Sequence, residues 1–269
     1  MIKLRSSKKK ISVLITVFNG EDYIKKCLVS LKNQTYKNWE AIIIDDKSTD
    51  NTLKIIKNNF QDKRFKITAL KKNIGRIKAA NYGLTKCKGD YIAILDSDDI
   101  SHKNRFKKQI AFFEKNKKAN IVVSWAHQID KNGKIIGKFI GPVNPKIVKK
   151  QILFFNFIPH STLMYCRKFA KKIKAIPYRF RYAIDYELYL KFLRHTDIFV
   201  IPEFLGKIRF LKNSITNAKK NRIMVVKDDL ICLDYVKKHF DLNFKKKFIF
   251  LVRKIKLSIK LIIYKLNLF

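Results

Sequence analysis

Carboxylates gather where the most apolar stretches of this chain end. "AIIIDD" closes on Asp45 and Asp46, and "AILDSDD" closes on Asp96, Asp98 and Asp99. The chain has few acids to place, with 21 Asp and Glu against 60 Lys and Arg. Converging carboxylates repel one another unless a cation joins them, and Mg²⁺ or Mn²⁺ accepts both protein oxygens and phosphates. The pattern indicates a metal–diphosphate site, with helix capping as the alternative for either group alone.

The segments that carry these acids alternate between strand and helix. Apolar, β-branched runs predict strands at 11–18, 39–45, 65–70 and 90–99, and helical spacing of apolar residues predicts helices between them. This alternation predicts an α/β fold with a mainly parallel central sheet flanked by helices. Ligands of such sheets bind beyond the carboxyl ends of the strands, where both groups of acids fall.

The second half of the chain has a looser pattern. Strands are expected at 121–130 and 134–140 around a turn, and a helix at 185–193. The sequence contains no G-x-G-x-x-G and no G-x-x-x-x-G-K-[ST] motif. Nothing therefore supports assigning it to the dinucleotide-binding or the P-loop proteins. No nucleic-acid-binding motif is present, so no specific nucleic-acid partner is expected.

The composition of the chain limits its possible partners, metal sites and location. A 47% hydrophobic chain of 269 residues can bury a core, and a net charge of +39 attracts polyanions such as an anionic membrane. Its four cysteines lack zinc spacing and are expected to be free thiols. The early apolar run has only eight residues, contains Ser and Thr and is not followed by a cleavage site, so a buried strand is favoured over a signal peptide. No stretch suits a transmembrane helix, so the cytoplasm is expected. We divide the chain into a basic tail (1–9), a main domain (10–217) and a helical extension (218–269).

The end of the extension has the pattern of a basic amphipathic helix. Its cations lie off the apolar face, and no acid follows Asp241. This pattern predicts association with a membrane surface, and packing against the domain is the alternative. The apolar face consists of Phe248, Leu251, Val252, Ile255, Ile259, Ile262, Ile263 and Leu266.

Several segments together resemble the family-two glycosyltransferases, which have the GT-A fold. "ISVLITVFNGEDYIKKCLVSLKNQTYKNWEAIIIDDKSTDNT" is similar to the start of that family. "NIGRIKAANYG" resembles its N-x-G…A-x-N segment, "AILDSDD" its DxD motif and "AIDYELYLKF" its acceptor-side segment. The resemblance covers roughly residues 10–215. It implies a GT-A fold and a bacterial surface-polysaccharide enzyme.

The resemblance also implies roles for individual residues. Asp185 would be the catalytic base and Asp98 the ligand of a divalent cation, Mn²⁺ or Mg²⁺. His160 and Glu187 would lie on the acceptor side. Nucleotide-sugar binding would fall to Thr16, Phe18, Asn19, Asp45, Asp46, Asn73, Lys78, Asp96 and Arg209.

The implied activity is metal-dependent, inverting hexosyl transfer. The donor would be a nucleotide sugar, with a UDP-sugar favoured, and the acceptor a glycan or lipid-linked hydroxyl. The protein would act peripherally at the cytoplasmic face of the cell membrane. Two departures leave an alternative open: Ile184 stands where the family has Glu, and Leu211 where it often has His. The alternative is a catalytically degenerate GT-A protein that binds membranes or nucleic acid.

Overall fold

The structure is a computed structural model that describes residues 9–176, 184–211 and 221–265. Most of the predicted basic tail lies outside the described residues. So do the predicted domain boundary at 217 and 218, and Leu266 at the end of the predicted apolar face.

The first half of the chain forms a parallel sheet with helices between its strands. The apolar runs supply the four predicted strands, which are parallel as expected and pair in the order β3-β2-β1-β4. The elements are β1 (Ile11–Val17), α1 (Ile24–Lys32), β2 (Trp39–Asp45), α2 (Thr52–Asn59), β3 (Phe65–Ala69), α3 (Arg76–Lys86) and β4 (Tyr91–Ile94).

The fourth strand is shorter than the sequence predicts. β4 ends at Ile94 rather than continuing to residue 99. The backbone N–H of Asp96 donates to the Ser161 hydroxyl at 2.9 Å instead of to a strand, and Asp99 N–H closes a turn on the Asp96 carbonyl. The second group of acids therefore lies in a turn beyond the sheet.

The second half extends the same sheet with both strand directions. β8 lies antiparallel between β4 and β6, β9 runs parallel to β6, and β5 pairs antiparallel with β9. The sheet is therefore parallel in its first half and mixed as a whole. The predicted hairpin is confirmed as β6 and β7. The elements are β5 (Ile100–Ser101), α4 (Arg105–Lys115), β6 (Ile121–Ile129), β7 (Ile135–Phe139), α5 (Pro145–Ile152), a 3₁₀ turn (His160–Thr162), β8 (Met164–Cys166), α6 (Arg167–Lys172), α7 (Ile184–Leu193) and β9 (Phe199–Arg209).

The central strands are buried on both faces because successive side chains point to opposite sides of a sheet. Leu14 and Ile44 pack in one apolar cluster, whereas Val13 and Ile43 pack in the other. Gly83 brings α3 close to the first cluster, since a Cβ there would lie 2.4 Å from a Leu14 methyl. The continuous apolar runs of the sequence follow from this double burial.

The C-terminal extension packs on this domain through α8 (Arg222–His239) and α9 (Phe244–Lys265). Cys232 of α8 and Phe250 of α9 are buried in the same cluster as Leu190 of α7. Packing onto the domain, one of the two interpretations of the sequence, is therefore observed. In the part of the chain that is described, no helix has the length and apolar character needed to span a membrane.

A buried ion network secures the amino ends of the strands. The Glu40 carboxylate is 2% exposed and accepts hydrogen bonds from the ammonium groups of Lys10 and Lys66, each at 2.7 Å. The Ser12 hydroxyl donates at 2.7 Å. Burial raises the pKa of Glu40, but these hydrogen bonds outweigh it and lower the pKa to about 2. This network crosslinks the first three strands.

We predict that Glu40→Gln lowers the free energy of unfolding at pH 7 by about 1.5–3 kcal/mol, the weight of hydrogen bonds to a charged group. A carboxylate with a depressed pKa stabilises the fold above its unfolded pKa, and this stabilisation is lost as pH falls through its folded pKa. The deficit of the variant should therefore shrink between about pH 4.5 and pH 2. Urea titrations across that range measure it, and a deficit independent of pH would contradict the assignment.

Candidate active site

The loops after β1 and β2 hold each other at the carboxyl edge of the sheet. The side-chain oxygen of Asn19 accepts from the backbone N–H of Thr49 at 2.8 Å, and Asn19 N–H donates to the Ser48 hydroxyl. Asn19 has a φ of 50°, a left-handed conformation that Asn tolerates. Phe18 beside it is 50% exposed, while Thr16, the second-last residue of β1, lines the cleft described below.

The first pair of acids, Asp45 and Asp46, organises these loops. Asp45 is buried and accepts a hydrogen bond of 2.5 Å from the Ser48 hydroxyl. Asp46 accepts from the backbone N–H groups of Ile74 and Gly75, both at 2.8 Å, which holds the loop that starts α3. A carboxylate has about four lone-pair positions, so Asp46 retains acceptor capacity beyond these two bonds.

The second group of acids contains one buried carboxylate, Asp99, and a partly buried one, Asp98. Asp99 is 3% exposed, and it accepts from the Ser161 hydroxyl at 2.5 Å and from the Arg209 backbone N–H at 2.7 Å. Burial, followed by the charges of Asp98 and Asp96, raises the pKa of Asp99 well above its usual range. Burial and the charge of Asp96 raise the pKa of Asp98 to about 6. Negative charge at this turn is therefore costly, and a cation would relieve the cost.

Arg209 ties the acid turn to the rest of the sheet. Its side chain donates to the backbone carbonyls of Asp98, Asp130 and Lys131 at 2.6–2.9 Å. The guanidinium also lies 4.4 Å from the ring centre of Tyr23, and the residue is 5% exposed. The resemblance implies nucleotide-sugar binding by Arg209. The structure shows its side chain bonded beneath the acid turn, and the binding role stays a prediction.

A cleft opens above β1 and β4, and Thr16, Arg76, Asp96 and His160 line it. Arg76 forms an ion pair with Asp96 at 3.3 Å, and both side chains are about one-third exposed. His160 Nδ1 lies 3.4 Å from the Tyr189 hydroxyl. Burial lowers the pKa of His160, whereas the charges of Asp96 and Asp185 act to raise it. His160 is therefore within electrostatic reach of both carboxylates.

Asp185 lies in the first turn of α7. One carboxylate oxygen accepts from the Asn156 side-chain amide at 2.6 Å, and the other accepts from the Tyr186 backbone N–H at 2.9 Å. Glu187 is two residues further, about 200° around the helix, so it points away from Asp185. It is 5% exposed and pairs with Lys191 at 2.6 Å. The structure therefore does not place Glu187 beside Asp185 on the acceptor side.

Two further predicted residues lie outside the cleft. Lys78 is exposed on α3, and Asn73 is exposed in the preceding loop, where its side-chain oxygen accepts from Gly75 N–H at 3.2 Å. Neither lines the cleft.

Sequence reasoning missed three residues that shape the site. Arg76 lines the cleft, Ser161 binds Asp99, and Arg105 lies fully buried beneath the turn. Arg105 donates to the carbonyls of Ile94 and Leu163. Burial lowers the pKa of Arg105 to about 9, although the charge of Asp99 opposes this. The position of Arg76, directly after Gly75 in the loop, is a signal that the sequence offers. No pattern distinguishes Arg105 or Ser161 from ordinary surface residues.

The acids suit a cation that also binds a second molecule. Among the described residues, no cluster of three or more His, Cys, Asp and Glu side chains is arranged to hold a metal by itself. Mg²⁺ and Mn²⁺ sites with one or two carboxylates are common where substrate phosphates complete the shell. Asp98 and Asp96 fit such a site, because the chain offers carboxylate oxygens without enclosing the ion.

The sequence model of glycosyl transferase family 2 matches residues 12–174, which include the edge loops and the acid turn. The chain belongs to this family. This family-2 glycosyltransferase is 31% identical over 224 residues to the uncharacterized glycosyltransferase MJ1057 of Methanocaldococcus jannaschii, covering 80% of this chain and 77% of the relative.

A second relative has a more specific name. The UDP-Glc:alpha-D-GlcNAc-diphosphoundecaprenol beta-1,3-glucosyltransferase WfgD of Escherichia coli is 32% identical over 213 residues, which cover 78% of this chain and 80% of WfgD.

The fold also matches solved structures. The mannosyltransferase PcManGT of Pyrobaculum calidifontis, in complex with GDP-Man and Mn²⁺, superposes with a TM-score of 0.68. The match covers 97% of this chain and 74% of PcManGT at 13% identity. The predicted GT-A fold is thereby confirmed.

We predict that Arg209→Lys destabilises this glycosyltransferase by about 2–4 kcal/mol, because an ammonium cannot reproduce three directed bonds and a stacked, planar group in a buried site. Arg194→Lys is the control. Arg194 is exposed and donates one hydrogen bond, to the Tyr235 hydroxyl at 3.3 Å, so less than about 1 kcal/mol should be lost. Urea denaturation measures both variants. Equal losses would mean that Arg209 does not hold the acid turn.

Proposed function

We propose that this glycosyltransferase moves one sugar, with inversion, from a nucleoside-diphosphate sugar to a hydroxyl of a glycan or lipid-linked acceptor in surface-polysaccharide synthesis. The proposal is based on the cleft of this family-2 chain. Arg76, Asp96 and His160 line the cleft, and His160 lies within electrostatic reach of Asp185. Arg76 and the acids beside it suit the binding of a diphosphate leaving group. Asp185 suits the activation of an attacking hydroxyl.

The donor is proposed to lie along the edge loops. Thr16 and Phe18 would contact the nucleotide base, and Asp46 would accept hydrogen bonds from that base. Asp96 would bind the ribose or the sugar. Arg76 would bind the diphosphate by charge. A UDP-sugar is favoured because the name of WfgD specifies UDP-Glc, although PcManGT was solved with GDP-Man.

We assign a divalent cation to Asp98, beside Asp96. Such an ion would neutralise the charge that builds up on the departing nucleoside diphosphate. The raised pKa of Asp98 and the presence of Mn²⁺ in PcManGT support this assignment. Asn19 and Asp45 would act indirectly, by holding the loops in place.

Asp185 is the proposed general base. The Asn156 amide fixes its carboxylate, which accepts the proton of the acceptor hydroxyl as that oxygen attacks the anomeric carbon. The bond to the diphosphate breaks on the opposite side, and the electron pair leaves with the nucleoside diphosphate. One displacement inverts the carbon and needs no nucleophilic carboxylate, unlike retaining glycosidases. His160 would line the path between donor and acceptor.

The acceptor and the location are part of the same proposal. WfgD is named for an acceptor on diphosphoundecaprenol, which supports a lipid-linked acceptor here. Nucleotide-sugar use and the basic extension favour the cytoplasmic face of the cell membrane as the place of reaction.

We predict that Asp185→Asn lowers the transfer rate at saturating donor by about 10²–10⁴-fold, because a carboxamide cannot accept the acceptor proton. Donor affinity should stay within about twofold, since the change lies on the acceptor side. Release of nucleoside diphosphate with an acceptor extract measures the rate. Asp197→Asn, after the end of α7, is a control that should leave it unchanged.

Loss of donor binding in Asp185→Asn, with an unchanged rate at saturation, would move Asp185 to the donor site. A wild-type chain that neither binds nor hydrolyses nucleotide sugars would favour the degenerate binding protein suggested by Ile184 and Leu211.

A further inference from the structure

The last helix presents an exposed apolar face. Helix geometry advances about 100° per residue, so six apolar residues of α9 fall within a stripe about 80° wide. Phe248 is 63% exposed, Leu251 55% and Ile259 52%, although water is unfavourable for all of them. We call this stripe the outer face of α9. It consists of Phe244, Phe248, Leu251, Ile255, Ile259 and Ile262.

Attachment of α9 to the domain does not use this face. Phe250 is 7% exposed in the core, and Leu257 packs against the same cluster. Both point away from the outer face, since they lie about 120–160° around the helix from Ile255 and Ile262. The Lys254 ammonium anchors the helix further, with a 2.8 Å contact to Asp234 of α8. The outer face is therefore extra apolar surface on a helix that is already packed.

Cations border the outer face on both sides. Lys247 lies on one border and Lys256 on the other, and both side chains are exposed. No acid follows Asp241 in the sequence. An apolar stripe flanked by lysines matches the boundary between the headgroups and acyl chains of an anionic bilayer. A second copy of this chain fits less well, because its own net charge of +39 would meet the same lysines.

We propose that the outer face of α9 binds the surface of an anionic lipid bilayer, with the helix lying in the membrane plane. The six apolar residues enter the headgroup boundary, and the flanking lysines contact lipid phosphates. The helix is 22 residues long, or about 33 Å, which suits an in-plane contact along its length.

The domain side of α9 contacts the loop that positions the proposed base. The guanidinium of Arg253, on α9, lies 6.0 Å from the ring centre of Phe155, which is 43% exposed. The next residue, Asn156, donates to Asp185 at 2.6 Å. Arg253 lies about 160° around the helix from the middle of the outer face, so α9 itself separates this contact from the lipid. The helix thus joins the lipid-facing surface to the acceptor side of the domain, a step that rests on the proposed function.

The experiment measures co-sedimentation of the full chain with vesicles of phosphatidylcholine and phosphatidylglycerol at 3:1, and with phosphatidylcholine alone. We expect at least tenfold stronger binding to the anionic vesicles, because each nearby cation contributes about fivefold. The triple variant Leu251→Gln, Ile255→Gln, Ile259→Gln should lose at least tenfold. Lys247→Gln, Lys256→Gln should lose about twenty-five-fold, and high salt should weaken vesicle binding of the wild type.

The chain offers a matched control. Ile135, Ile136 and Ile140, at the β6–β7 hairpin, are 48–59% exposed and lie outside α9. Their triple change to Gln removes the same kind of surface and should leave vesicle binding unchanged. Thermal unfolding should be cooperative for each variant, with midpoints within about 3 °C of the wild type, because every altered side chain is exposed.

Vesicle binding that survives the outer-face variant, or that is lost equally in the hairpin control, would overturn the proposal. So would a dimer that the outer-face variant converts to a monomer while vesicle binding persists, since the face would then join two copies of the chain. Nucleotide binding by the same preparations separates the two proposals. Failure to bind any nucleotide contradicts the catalytic assignment, and loss of vesicle binding alone leaves it intact.

Discussion

The cost of burying carboxylates at the end of β4 governs the architecture around the site. A carboxylate removed from water must be hydrogen-bonded, paired or neutralised. Asp99 obtains its partners from Ser161, in the 3₁₀ turn, and from the backbone of Arg209, at the end of β9. These contacts span 62 and 110 residues of chain, so three distant segments must meet at one point. The second half of the sheet is thereby fixed against the first.

Arginines beneath and beside the turn complete this arrangement. Arg105 and Arg209 are buried and bind backbone carbonyls, so they hold the loops while offsetting negative charge from below. Arg76 is left on the cleft side, paired with Asp96. The charge that remains uncompensated lies at Asp98, whose pKa is raised by burial and by Asp96. A site built this way favours a ligand that brings a cation together with phosphates.

Much of this arrangement could be predicted from the sequence. Doubly buried strands leave continuous apolar runs, and the acids that follow them mark the carboxyl edge, so β1 to β4 and both groups of acids were found. Contacts with residues distant in the chain could not be predicted. The sequence does not show that Glu187 points away from Asp185 or that Arg209 is buried under the acid turn, and the roles of both stay predictions. The two interpretations of α9 were also incomplete, because the helix packs through Phe250 and still exposes Phe248.

We propose that Asp96 and Asp98 form a diphosphate site that depends on a cation. Titration calorimetry of UDP, and separately of GDP, into the full chain in Mn²⁺ and in EDTA measures this dependence. We predict at least tenfold tighter binding of one nucleotide in Mn²⁺, about 1.4 kcal/mol, and loss of that difference in Asp98→Asn. Equal affinity in Mn²⁺ and EDTA for the wild type would contradict the account.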